Sequence, residues 1–400
     1  MIINQTVHEH PLLKSAFFAL TGLTVVGQIY LPIPILAEIN QHFNSGESAA
    51  GWVSSAFSIG YSAGFLLSGP LSDRFGRRRI MLLGFVFFII STILVSISSH
   101  FNELLIFRII QGLTASTYPP IILAYLNEHL LPPWRGRAIS FMSLGFLTAS
   151  IIAQLYAISL SAHGLNFIEF TFIPLYCISL ILLFFYIEDI DRNNKTESLI
   201  EIYKKIPVLL FDKNLKWLYV STLCTLSALV SFYILLDENY GHRFSAAHID
   251  LLMTRLIALP VMFLSLLAPQ LIYKIGAIFV VRWSFFIASA GLLLSSIAVF
   301  FGSTWGLLFS SIIFIGGRAF SVPSLVGTIG SIAEKKLKGT AISLYTFILF
   351  IGASLGPFIA HLLMHFDYFV SLIMLAFIAG VPALLTFHMN KNVLSITQSS

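Results

Sequence analysis

Twelve mostly apolar runs divide this chain from one end to the other, each close to the roughly 20 residues a helix needs to cross a bilayer. Their approximate limits are 14–37, 51–72, 80–98, 102–125, 137–160, 167–187, 216–236, 248–272, 279–300, 304–327, 339–363 and 367–388. Charge, Pro, Gly or Asn separates them, and most of the connections are very short. Such a succession leaves essentially one fold class, an all-α integral membrane protein whose helices satisfy their own backbone polar groups. Hydrophobic residues make up 57% of the 400 positions and charged residues 10%, against about 25% charged in a soluble domain. The run from about Ala16 to Ala37 exceeds the apolar core of a secretory signal, and no A-x-A cleavage site follows it. It reads as the first span.

Lys and Arg set the orientation. With the N-terminus in the cytoplasm, 19 of the 23 basic residues fall in cytoplasmic segments. Arg243 alone falls outside, and Arg108, Arg255 and Arg318 lie within spans. Both termini are then expected in the cytoplasm of a bacterial cell, with the chain in its inner (plasma) membrane. The basic residues occupy short turns and form no face for a duplex, which argues against nucleic acid despite the net charge of +5. Cys177 and Cys224 lie in apolar runs and suggest neither a disulfide framework nor a metal site. No cofactor is called for.

The segment 188–215 is the one long polar connection and falls between the sixth and seventh spans. It divides the chain into 1–187, a linker, and 216–400. Leu199, Ile202, Tyr203 and Ile206 recur at helical spacing, which suits a short amphipathic helix on the inner membrane surface, ended by Pro207. A plain tether is the alternative.

The two halves repeat. At a constant offset, Pro120 meets Pro323, Gly136 meets Gly339, and Ala138-Ile139-Ser140 meets Ala341-Ile342-Ser343. "GPLSDRFG" has a fainter echo in "APQLIYKIG", where Gly76 corresponds to Gly276. Duplicated six-span units are a transporter plan.

Between the second and third spans lies "SGPLSDRFGRRRIML". Its Gly69-x-x-x-Asp73-Arg74-x-Gly76-Arg77-Arg78 closely resembles the signature loop of the major facilitator superfamily. Arg108-x-x-Gln111-Gly112-x-x-x-Ser116 resembles that superfamily's motif in the fourth span, and "YLPIPIL" the first helix of its twelve-span drug-exporter branch. The resemblance covers the whole chain and implies two pseudo-symmetric six-helix bundles. It further implies that Asp73 faces the positive end of the eleventh span near Gly339, while Arg77 and Arg78 pair with Glu128. The loop would then latch the two halves on the cytoplasmic side. A topology anchor, held inside by its arginines alone, is the competing reading.

A charge within a span is a functional candidate by default. The family motif places Arg108 in the central cavity, where it would bind an anionic group or tune a proton, unless it is a packing arginine. Arg318 and Arg255 are further cavity candidates, with Gln111, Gln28, Tyr30, Tyr233 and Tyr345. The expected coupling ion is a proton, yet no carboxylate stands out: Glu38, Glu169, Asp237 and Glu238 read as solvated rim residues. The family's Gly-Pro antiporter motif is missing from span five, where Gly145, Ala149 and Ala153 form a small-residue packing stripe. A similar Gly-Pro pattern occurs at Gly352 to Pro357 in span eleven.

The expected activity is proton-coupled export of a small organic molecule, by a monomer, through alternating access. Import of a nutrient or siderophore in the same fold is the nearest alternative. A polytopic membrane enzyme would need clustered catalytic residues, whereas His8, His10, His42 and His129 are scattered and no H-E-x-x-H or phosphate loop occurs.

Overall fold

The apolar runs are helices, and among the described residues nine helical segments are long and apolar enough to cross a bilayer. The structure, a computed structural model, describes residues 11–45, 52–188, 199–246, 251–334 and 336–389. The helices are α1 (Pro11–Gly27), α2 (Leu36–Phe43), α3 (Trp52–Phe75), α4 (Arg77–Ser96), α5 (Phe101–Ala115), α6 (Tyr118–His129), α7 (Pro132–Ser159) and α8 (Gly164–Tyr186). After the linker helix α9 (Leu199–Phe211) come α10 (Leu215–Ala246), α11 (Leu251–Met262), α12 (Ala268–Ile275), α13 (Ala277–Phe300), α14 (Thr304–Ile332), α15 (Lys338–Leu363) and α16 (Tyr368–Leu385). No strand occurs among the described residues.

Twelve crossings result, but three of those expected as single helices are broken. The first divides into α1 and α2, with turns and a single 3₁₀ turn (Ile33–Ile35) between them. Pro32 and Pro34 lack the N–H that a continuous helix would need there. The fourth divides into α5 and α6 at Ser116 and Thr117, because Pro119 and Pro120 open a new helix. The eighth divides into α11 and α12 around a 3₁₀ stretch, Phe263–Leu267. The repeat is uneven here: Pro323, the counterpart of Pro120, lies inside the continuous α14.

Elsewhere the repeat extends to backbone angles. Gly76, before α4, has φ 96° and ψ 143°, and Gly276, before α13, has φ 86° and ψ 147°. Only glycine adopts such angles readily. The same turn therefore joins spans two and three and spans eight and nine.

Small residues set the helix spacing. A Cβ on Gly60 would run into the carbonyl oxygen of Ile109, and one on Gly112 into that of Phe57, so α3 and α5 touch backbone to backbone. The expected stripe on α7 packs against α1, with Gly145 over the Ala19 carbonyl and Ala153 beside Gly27. One apolar core fills the first half and continues through Leu325, Ile329 and Ile342 of α14 and α15. A second fills the other half around Phe232, Leu292 and Phe314, and Ile151 of α7 reaches into it. Large apolar side chains such as Phe185, Phe309 and Phe377 cover the outside, as a hydrocarbon environment requires.

The linker helix forms on the expected face, with Ile202 and Leu209 buried, but it runs through Pro207 to Phe211. The Tyr203 hydroxyl ties it to α3 by donating to the Leu66 carbonyl at 3.2 Å.

Candidate functional site

Asp73 ends α3 directly opposite the first turn of α15. Its carboxylate accepts from the Gly339 amide at 3.1 Å, the Thr340 amide at 2.6 Å and the Thr340 hydroxyl at 2.6 Å. A helix's first turn has unpaired N–H groups and a partial positive charge, so a carboxylate is favoured there. Arg77, one turn further on, lies 2.6 Å from Asp73 and 2.8 Å from Glu128. Its Nε also donates to the second oxygen of Glu128 at 3.2 Å, which makes that pair bidentate. Nη1 donates to the Ser72 hydroxyl at 2.7 Å. Asp73 and Arg77 are both buried. Gly69 faces Ser343 and the Gly339 carbonyl, while Gly339 in turn faces Asp73 and Arg77, and neither has room for a side chain.

The other arginines of the loop go elsewhere. The Arg78 Nη2 donates to the Phe184 carbonyl at 2.8 Å, and its guanidinium lies over the Phe184 ring. Its place at the start of α4 turns it toward α8. Arg74 lies over the ring of its neighbour Phe75. Ser72 and Thr340 escaped the sequence reading, since a hydroxyl in a span carries no signal of its partner.

A second polar cluster lies inside the first half. Arg108 on α5 is 3.0 Å from Glu169 on α8, with both side chains at 0% exposure. Nη1 also donates to Gln111 at 2.7 Å and to the Gln28 side chain at 3.2 Å, and Nη2 to the Gln28 carbonyl at 2.7 Å. The Phe57 ring lies under the guanidinium. Gln111 donates to the other Glu169 oxygen at 2.9 Å and to Thr92 at 3.1 Å, and Gln28 donates to the Tyr176 hydroxyl at 2.9 Å.

This arrangement corrects four expected placements. Arg108, Gln28 and Gln111 do not line the central cavity but lie in the bundle interior. Glu169 is not a rim residue. Leu165, Ile168, Glu169, Phe172 and Tyr176 form the buried stripe of α8, so its carboxylate points inward with the core. That stripe was present in the sequence at helical spacing. Glu38 is half-buried and Glu238 exposed.

Arg318 on α14 is the opposite case. It is 1% exposed, and none of its three guanidinium nitrogens has a hydrogen-bond partner. The rings of Phe285 and Phe314 lie 5.0 and 5.4 Å from it.

A narrow central cavity of about 70 Å³ lies between the two halves. Val26, Tyr30, Leu123 and Phe146 line it from the first half, and Leu226, Val322, Tyr345 and Phe350 from the second. Tyr30 and Tyr345 are among the residues that line it. Arg318 and Tyr233 are not among the lining residues: Arg318 is buried against Phe285 and Phe314, and Tyr233 packs beside Phe232 in the second core. The side chains of Arg255 and Asp237 lie outside the described residues. Ser143, Ser150 and Thr346 also line the cavity, but each hydroxyl already donates to a carbonyl of its own helix. No cluster suited to a metal ion occurs among the described residues.

Two six-helix bundles, repeated in sequence and in loop geometry with a cavity between them, define a secondary-transporter architecture. The chain belongs to the major facilitator superfamily, whose model matches residues 18–357. It is similar to "Multidrug resistance protein 3" of Bacillus subtilis, at 29% identity over 36% of this chain and 28% of that protein. It is also similar to the "D-xylose transporter" of Levilactobacillus brevis, at 34% identity over 31% of this chain and 27% of the relative. The chain thus spans about a quarter to a third of these relatives. An "Uncharacterized transporter" of Buchnera aphidicola is 26% identical over 84% of this chain and 81% of its own. The solved human organic anion transporter MFSD10 superposes with a TM-score of 0.78 at 15% identity, covering 95% of this chain and 99% of that one. The proton:xylose symporter XylE gives a TM-score of 0.74 at 16% identity, covering 93% and 94%. These likenesses establish the fold.

Proposed function

We propose that this chain is a secondary active transporter of the bacterial inner membrane that exports a small amphipathic organic molecule in exchange for protons. The cavity carries this reading. Its walls are mostly aliphatic and aromatic, and its serine and threonine hydroxyls are spent on their own helices. A sugar leaves many hydroxyls to satisfy, and an unmet hydrogen bond in such a site costs affinity. Apolar molecules with few polar groups fit better. The relative named for multidrug resistance agrees, whereas the one named as a D-xylose transporter favours a sugar. One chain has both halves and the cavity between them, so the unit of transport is a monomer.

The contacts of Asp73 with α15 close the cavity at the end where the basic loops lie, which the distribution of Lys and Arg makes cytoplasmic. Substrate then leaves toward the outside in the state described, and the latch must break for reloading. Glu169 serves the proton. Its protonation removes the charge that holds Arg108 and frees the guanidinium to shift, with Gln28 and Gln111, against α1 and α3. Movement of α1 would reach the cavity through Tyr30.

The test is proton flux in proteoliposomes carrying an acidic lumen. An amphipathic drug such as ethidium, or an uncharged aromatic amide, should dissipate the gradient when added to vesicles holding the protein. Xylose should neither dissipate it from outside nor, when loaded in the acidic lumen, carry protons out. Proton efflux that requires xylose inside the vesicles would replace export by sugar symport.

A further inference from the structure

We infer that the cytoplasmic closure opens at the seam between α7 and α12, and that an amphipathic molecule passes there from the inner leaflet into the cavity. This inference rests on the cavity being the transport site. The repeat gives the closed state two seams between the halves and fastens only one of them. At the first, α3 meets α15: Asp73 is set into the first turn of α15, and the Ser68 and Ser343 hydroxyls lie 3.4 Å apart. At the second, α12 meets α7, and a Cβ on Gly136, the counterpart of Gly339, would lie 2.9 Å from the Pro269 side chain. With Gly76 matched to Gly276, Asp73 corresponds to Tyr273, which is 88% exposed. Ser140, the counterpart of Ser343, is buried, and its hydroxyl has no partner. The Ser265 hydroxyl, in the 3₁₀ stretch packed on α7, is likewise buried and unpaired. Among the described residues, no hydrogen bond or ion pair joins 263–275 to α7.

Separating α3 from α15 breaks charge-assisted hydrogen bonds, whereas separating α12 from α7 breaks dispersion contacts only. It also releases two hydroxyls that are costly where they stand. The 3₁₀ stretch, whose hydrogen bonds are poorer than those of an α-helix, gives the eighth crossing a place to bend. On one side the seam faces lipid: Phe263, Leu264 and Leu267 beside it are exposed, as hydrocarbon requires. On the other side it leads to the cavity. Gly136, Ser140, Ser143, Leu147 and Ser150 recur at helical spacing on one face of α7, and the last three line the cavity. That face is a continuous path from the inner-leaflet end of the seam to the cavity. Its small side chains leave room for an apolar body, and the Ser140 and Ser265 hydroxyls meet the polar group that travels with it.

The test compares the two seams in liposomes, in a protein with Cys177 and Cys224 replaced by serine and a single cysteine introduced as S140C or S343C. The probes are N-(1-pyrenyl)maleimide dissolved in the bilayer and a water-soluble stilbene disulfonate maleimide present on both sides. S140C should react with the pyrenyl reagent at least about tenfold faster than S343C, because the bonds to the Asp73 carboxylate hold only the second position closed. The stilbene reagent should show no such preference. Spin labels at Arg137 and Lys274 should give a larger long-distance population than labels at Arg74 and Lys336. Equal or slower reaction of S140C, or equal populations across the two seams, overturns the unequal opening. A preference for S140C that is as large with the stilbene reagent overturns entry from the lipid. Neither readout requires transport. Loss of drug-driven proton flux with the preference intact therefore overturns export and leaves the portal, while flux without the preference overturns the portal alone.

Discussion

Arg108 and Glu169 face each other at 3.0 Å with no exposure to solvent, and each is held by a further side chain of the first half, Gln28 on Arg108 and Gln111 on Glu169. Burying two charges costs nearly what their attraction returns, while leaving one of them unpaired costs about 3–5 kcal/mol. Arg108→Gln should therefore destabilise the protein by about that amount, as should Arg108→Ala. Combining Arg108→Gln with Glu169→Gln should recover most of the loss, since no charge is left stranded. Thermal unfolding in detergent of the two singles and the double measures the coupling. Additive losses would mean that the two side chains are independent.

Glu169→Gln keeps the shape and the bond from Gln111 but holds no titrating proton. Substrate exchange across the membrane without a gradient should persist, whereas substrate-driven proton flux should vanish. The dependence of transport on pH should flatten with it. Unaltered proton flux in Glu169→Gln would move the coupling site elsewhere.

Close approach of α3 and α5 gives a prediction that owes nothing to charge. Gly60→Ala sets a methyl group against the Ile109 carbonyl, which has no flexible side chain to move aside. Overpacking of this kind costs about 1–3 kcal/mol. Thermal unfolding should show the loss, and Gly327→Ala, whose Cβ meets nothing within 4 Å, should not.

Which features were legible in the sequence follows from what each one rests on. The crossings were visible because their lengths are set by the bilayer, and the Asp73 loop because glycine spacing, charge and placement between two spans coincide. The breaks at Ser116 and before Ile33 were less visible, since a membrane helix tolerates proline and only the surroundings decide whether it breaks. Glu169 was misplaced because closeness to the end of a run suggests water, whereas the buried stripe of α8 carries it inward. Arg108 was assigned to the cavity on its motif, and the cluster around it includes groups from α4 and α8 that no spacing along α5 could reveal. Arg318 could be seen as a charge in a span, but its lack of partners is a property of the fold alone.

Orientation has its own check. A reporter active only in the cytoplasm, fused after Arg79, within 188–215 or at Ser400, should be active at all three. Silence at any one would overturn the assignment of the basic loops to the inside.

Alternating access is the centre of the account, and the Asp73 contacts with Gly339 and Thr340 are where it is most exposed to test. In a protein with Cys177 and Cys224 replaced by serine, spin labels at Arg74 and Lys336 would report the distance across the latch by pulsed electron resonance. The wild-type chain should give a dominant short distance with a minor longer one, and Asp73→Asn should shift the population to the longer, with transport falling in parallel. A single unchanged distance in both proteins, with transport intact in Asp73→Asn, would contradict the latch and leave the loop a topology anchor.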